Sequence, residues 1–196
     1  MIRLALALLI CLPPQESTDL LKADEKRAMF EAYWKRMCAP RARPKDLRAQ
    51  VLRDLGLDPL PERVPLKPHV AGTKEYADYR LERVWFQTYP QVWAAGWLYV
   101  PKREGKSPAV LNPIGHWPNG VNEPFEQARC IGLAKKGYVA FAIDPVHETH
   151  WPIGLCPAGY MTWNNIRALD YLESRPEVDA TRIGCTGASG GGQQTM

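Results

Sequence analysis

Arg182-Ile-Gly-Cys-Thr-Gly187-Ala-Ser189-Gly-Gly191-Gly-Gln-Gln-Thr-Met196 is the stretch that decides the fold. It opens as a strand, turns on Gly-x-Ser-x-Gly and continues in residues that a helix accepts. A serine on so sharp a strand-to-helix turn takes a strained backbone conformation, so the residues two positions to either side must lack bulk. Gly187 and Gly191 meet that need. Such a turn lifts the Ser189 hydroxyl above the end of a sheet, where the Gly190 amide can help to hold an oxyanion. The competing readings are a glycine-rich turn of purely structural use and a phosphate loop. No G-x-G-x-x-G follows the first βα strand and no G-x-x-x-x-G-K-[ST] is present, so the nucleotide-binding fingerprints fail.

Upstream of this turn the pattern is of strands alternating with helices. Tyr79 to Tyr89 and Val92 to Val100 read as two adjacent strands, an antiparallel start closed by Pro101 and the polar turn Lys102 to Lys106. Ala109-Val110-Leu111 is a strand, a Pro/Gly loop follows, and a helix from about Asn122 to Lys136 ends at Gly137. Tyr138 to Ile143 is nearly all apolar, as expected when both faces of a sheet are covered. A helix with Trp163, Ile166, Leu169 and Leu172 spaced three apart leads to the strand Arg182 to Thr186. Strands and helices of these lengths predict βαβ crossovers and an α/β fold with a mostly parallel sheet.

The wording Asp179-Ala-Thr-Arg-Ile-Gly-Cys-Thr-Gly-Ala-Ser-Gly-Gly-Gly resembles exported acetyl xylan esterase-like members of the α/β-hydrolase superfamily. The likeness runs from about Pro68 to Met196 and is sharpest at the end. It implies Ser189 as nucleophile of an ester-cleaving acyl-enzyme mechanism. It also implies an oxyanion loop at Pro113-Ile-Gly115-His116-Trp117, with the His116 backbone N–H as second donor beside Gly190. Relatives often carry His-Gly in this loop; here Ile114 stands where that histidine would be, and the glycine is kept. Trp117, His150 and Trp151 are candidate walls of the substrate pocket.

In this fold the partners of the serine follow it in the order acid, then histidine. Seven residues follow Ser189, none acidic and none histidine. His116, His147 and His150 precede it, and the chain order argues against each as the base. The expectation is therefore the N-terminal portion of a longer esterase, a hydrolase domain incomplete at its C-terminus and with little turnover by itself. Two other readings stay open. A prolyl-oligopeptidase-like peptidase shares the elbow but needs a far longer preceding segment. A non-catalytic exported carbohydrate-binding module would use Trp85, Trp93, Trp97, Trp117 and Trp151, most of which lie in strand patterns typical of core.

His147-Glu148-Thr149-His150 is one residue short of the H-E-x-x-H zinc-protease spacing and reads as pocket wall, so no metal is expected. No motif implies a cofactor. Five cysteines form no CxxC pair; Cys130 and Cys185 sit in apolar patterns and read as small core residues.

At the other end, Met1 to Leu12 holds one Arg and then an apolar run too short to span a membrane, the pattern of a signal peptide over residues 1–17. Export to the periplasm or outside the cell follows, without stable membrane insertion. Helices from Thr18 to Ala39 and Pro44 to Leu55 form a helical extension over residues 18–61, and residues 62–196 form the α/β-hydrolase part. The proline-rich Asp58 to Pro68 reads as the link between them. The chain has 196 residues with 25 Lys plus Arg against 21 Asp plus Glu, a net +4 too mild for a nucleic-acid footprint. A small-molecule or polysaccharide ester is the expected partner.

Overall fold

The computed structural model describes residues 21–39, 45–145 and 156–196. The N-terminal apolar run, Thr18, His147, Glu148, His150 and Trp151 lie outside the described residues. Contacts divide the chain into two units, residues up to 44 and residues from 45 onward.

The first unit contains helix α1 (Ala23–Met37), with Asp24 and Glu25 in its first turn and Lys35 and Arg36 in its last, each placed to complement the helix dipole. The Lys22 N–H donates to Glu25 Oε2 at 2.7 Å, which fixes the start.

The second unit begins with α2 (Leu47–Asp54), capped by Asp46 Oδ1 accepting from the Ala49 N–H at 3.0 Å. The sequence grouped this helix with the extension over residues 18–61. The structure groups it with the sheet, because the Leu55 carbonyl just past it seats on Gly159 and lies 3.7 Å from Cys156 Sγ. Strands β1 (His69–Glu75), β2 (Tyr79–Tyr89), β3 (Val92–Pro101), β4 (Ser107–Pro113), β5 (Val139–Ile143) and β6 (Val178–Cys185) form one six-stranded sheet in the order β1-β2-β3-β5-β4-β6. β1, β2, β3 and β5 pair antiparallel in turn, whereas β4 lies parallel to both β5 and β6. Helix α3 (Pro124–Lys135) joins β4 to β5, α4 (Pro157–Ser174) lies between β5 and β6, and α5 (Gly190–Thr195) follows β6.

Because strand side chains alternate, each strand feeds two cores. On the α4 face lie Val84, Phe86, Leu98, Phe141, Tyr171 and Leu172, with the Phe86 ring stacked on Tyr171 at 5.3 Å. On the α3 face lie Tyr99, Ile114, Val121, Cys130, Ala140 and Ala142. β5 is buried along its whole length, as its apolar run predicts, and its small Ala140 and Ala142 point toward α3. Gly96 of β3 faces Ile143, and a Cβ there would overlap the Ala142 carbonyl.

Two differences from the sequence reading have plain causes. β1 was not anticipated: all seven of its residues are exposed, so it has no apolar alternation and is held by backbone pairing to β2. β6 starts at Val178, earlier than Arg182, and Cys185 on it is exposed where a core residue was expected, since β6 lies at the edge of the described sheet and most of its residues are exposed. Cys130 is fully buried, and that burial pushes its thiol up to about 12.

Candidate active site

Ser189 sits between β6 and α5 with φ 56° and ψ −125°, a region that only tightly constrained non-glycine residues occupy. What constrains it is visible on both sides. The Thr186 N–H donates to the Leu111 carbonyl at 3.0 Å, carrying the strand pairing up to the turn. After it, the Gly191 N–H donates to the Ala188 carbonyl at 2.9 Å and the Gln193 N–H to the Ser189 carbonyl at 3.2 Å. A Cβ on Gly191 would overlap the Pro113 carbonyl, and one on Gly187 would overlap Gly191 and come within 2.9 Å of the Pro113 oxygen. Both glycines are therefore steric requirements of a turn pressed against the end of β4.

The loop after β4 closes the site from the other side. A Cβ built on Gly115 would lie 3.2 Å from Ser189 Cβ and 2.9 Å from the Ala188 carbonyl, so backbone passes directly beside the serine. The Trp117 N–H donates to the Gly115 carbonyl at 2.9 Å, folding a tight turn over His116, whose imidazole stands next to Gly190. Ser189 and His116 are both exposed. Among the described residues, neither the Gly190 nor the His116 backbone N–H has a hydrogen-bond partner.

Trp117 is turned inward. Its indole N–H donates to Glu126 Oε1 at 3.1 Å, and its ring meets Phe125 edge-on at 5.1 Å. Glu126 is completely buried and also pairs with Arg129, whose Nε donates to Asn112 Oδ1 at 3.2 Å. Asn112 in turn donates to the Val110 carbonyl at 2.9 Å. This chain of polar groups connects the end of β4, the loop and α3. Sequence reasoning missed it, although Glu126, Cys130 and Ala134 form an i, i+4, i+8 stripe in which a carboxylate occupies a buried position. From the far side Gln194 Nε2 donates to the Ile114 carbonyl at 3.4 Å, and Asn165 donates to Gln194 at 2.8 Å. A hollow of about 800 Å³ opens beside Gly190, with an apolar lining that includes Leu47, Val51, Leu55, Met161 and Met196.

Of the remaining histidines, His69 opens β1 and stacks on Trp85 at 4.3 Å, at the opposite edge of the sheet from β6. His150 and Trp151, the other two proposed pocket walls, lie outside the described residues.

A mixed sheet whose antiparallel start leads through right-order crossovers to a strained serine after a parallel strand is the α/β-hydrolase fold. Known proteins agree. The chain matches no protein-family model. It is similar to a protein of Bacillus subtilis (strain 168) named as a hydrolase, YtaP, with 29% identity over 174 residues, 74% of this chain and 56% of that protein. Among solved structures, the methylesterase BT1017 superposes with a TM-score of 0.69 at 28% identity, covering 88% of this chain and 42% of its own. An acetyl xylan esterase from Paenibacillus sp. R4 superposes with a TM-score of 0.56 at 23% identity, covering 74% of this chain and 51% of its own. The chain thus spans about half the length of the relatives it matches.

Proposed function

We propose that this chain carries the nucleophile and oxyanion half of a serine esterase. Ser189 Oγ attacks the carbonyl carbon of a carboxylic ester, and the Gly190 and His116 amides receive the negative charge that develops on the carbonyl oxygen. Collapse of that intermediate expels the alcohol and leaves an acyl-Ser189, which water hydrolyses. The observation that carries this reading is Ser189 itself, held at φ 56° by two glycines that tolerate no Cβ, with the Gly115 backbone against it. Strain of this kind survives where surrounding structure enforces it, and reactive serines are a recurrent use of it. The likeness to hydrolases and esterases supports an ester substrate, an acetyl or methyl ester on a polysaccharide being the class we infer.

Fast turnover also needs a general base to take the serine proton and an acid to orient that base, and the seven residues after Ser189 offer neither. A polypeptide of these 196 residues should therefore hydrolyse an aryl acetate slowly, with roughly the 10³- to 10⁴-fold advantage over water that an oxyanion hole and binding supply alone. The reading is tested by prolonged exposure to a fluorophosphonate followed by peptide mapping. Adduct at Ser189, absent from Ser17, Ser107 and Ser174 and abolished by Ser189→Ala, is the expected result; adduct spread evenly over the serines would sink the nucleophile assignment. Rapid ester hydrolysis lost on Ser189→Ala would instead overturn the expectation of slow turnover.

A further inference from the structure

Among the described residues, α3 covers its face of the sheet over β5 and β3. Toward β1 that face opens into a groove of about 470 Å³. Strand register builds its floor: Arg83 pairs with Gly72 on one side and Trp97 on the other, and Leu81 pairs with Lys74 and Tyr99. Residues paired in this way share one face of a sheet. Asn122, from the one-turn helix Gly120–Asn122, and Gln127 of α3 form the wall.

Three properties of the lining specify an occupant. Trp97 is half-buried and lines the groove, as does Tyr76, whose ring is stacked on Tyr79 with centres 4.6 Å apart. Trp97 Nε1 donates to Asn122 Oδ1 at 3.1 Å and Gln127 Nε2 donates to the Asn122 carbonyl at 2.9 Å, so the ring and the amides are fixed in place. Finally, Lys74 and Arg83 line the groove and, among the described residues, no carboxylate does. Lys74 Nζ lies 5.2 Å from the centre of the Tyr76 ring, and Arg83 has no ion pair or hydrogen bond among the described residues. Aromatic planes suit the apolar C–H faces of pyranose rings, amides suit their hydroxyls, and unpaired cations call for an anion. Two cations are few for a nucleic acid, whose binding rests on many phosphate contacts.

We propose that this groove binds an anionic oligosaccharide, with a sugar ring on Trp97 and a sugar carboxylate paired to Arg83 and Lys74. Its position fits a chain that extends to the elbow. Trp97 is level with Ala142, which is level with Asn112, and the next residue back on β4, Leu111, is level with Cys185 at the end of β6. Four inter-strand steps of about 4.8 Å place Arg83 roughly 19 Å from the strand that delivers Ser189, at the level of the C-terminal ends of β4 and β5. Binding in the groove does not depend on Ser189 being reactive, so the two readings stand or fall separately.

The test is calorimetric titration of the full chain with trigalacturonate, with neutral xylotriose and with a short oligothymidylate. Trigalacturonate is expected to bind and to change tryptophan fluorescence, more weakly at high salt and unchanged by Ser189→Ala. The double variant Lys74→Ala/Arg83→Ala should weaken it at least about tenfold, the loss of charge-assisted contacts. Both side chains are exposed, so the variant should fold, which circular dichroism checks. No binding of trigalacturonate, equal affinity for xylotriose, tighter binding of oligothymidylate, or unchanged affinity in the double variant would each overturn the proposal.

Discussion

The two faces of the sheet are built from different materials. Under α4 the contacts are between large apolar and aromatic side chains: Phe86, Phe141 and Tyr171 meet one another with ring centres 5.3 to 6.0 Å apart, and Trp163 is fully buried with its N–H on the Thr88 carbonyl. Under α3 the β5 residues are the small Ala140 and Ala142, and the space between helix and sheet holds a buried carboxylate, a guanidinium and an amide. The first face supplies stability by area removed from water. The second gives up part of that area for polar groups whose directions fix a loop, and it is beside this face that the backbone reaches Ser189. Stability and site geometry are thus carried by separate layers of one sheet, and substitutions can pull them apart.

The largest effect is expected on the first face. Phe86→Ala removes a ring packed on two others and should cost about 3–5 kcal/mol in urea unfolding, while leaving fluorophosphonate adduct at Ser189 in the fraction that stays folded. Loss of the adduct in folded protein would erase the division. Next, Gly191→Ala forces a methyl into the Pro113 carbonyl. It should abolish the adduct and lower stability by only about 1–3 kcal/mol, a strain cost rather than a core cost. Retained labelling would show that the elbow tolerates a Cβ.

Glu126→Gln sharpens the comparison. It keeps shape but leaves Arg129 facing a neutral amide, so about 1–3 kcal/mol should be lost, together with a shift in Trp117 fluorescence and slower adduct formation. Unfolding measurements and labelling rates read these two consequences independently; unchanged labelling would make the network a purely structural device.

The smallest effect lies at the opposite end of α4. Burial alone would raise the Glu177 carboxyl, but the hydrogen bond from Arg175 and the Arg175 and Arg80 charges outweigh it and hold it below the usual carboxylate range. A carboxyl depressed in the folded state stabilises above its unfolded pKa of about 4.3 and loses that contribution as pH falls through its folded value. The stability difference between the chain and Glu177→Gln should therefore be present at neutral pH and shrink on acidification, by equilibrium unfolding; a difference independent of pH would remove the ionic explanation.

What the sequence disclosed follows the same division. The hairpin Tyr79–Tyr89 with Val92–Pro101, the all-apolar β5, the helix carrying Trp163 and the glycine-flanked serine were all legible, because burial writes periodicity and because a steric demand for glycine writes spacing. β1 was not, since strand pairing by backbone alone leaves no side-chain pattern. The Glu126–Arg129–Asn112 network was not legible either. A charged pair at i, i+3 on a helix is ordinarily a solvated pair, and only the alignment of Glu126 with Cys130 and Ala134 marks it as buried. His116 could be placed beside the site only through the resemblance to the oxyanion loop of relatives; that Gly115 lies against Ser189 is visible in the structure alone.

Gly96 sits where the antiparallel part of the sheet meets β5, and its missing side chain works as an alignment key. A slip of one residue between β3 and β5 would bring Ala95 or Trp97 against the Ala142 carbonyl, where even a single methyl does not fit. The hairpin is thus indexed to β5 at this position, and the spacing between the aromatic groove and the serine is set by a residue that lines neither.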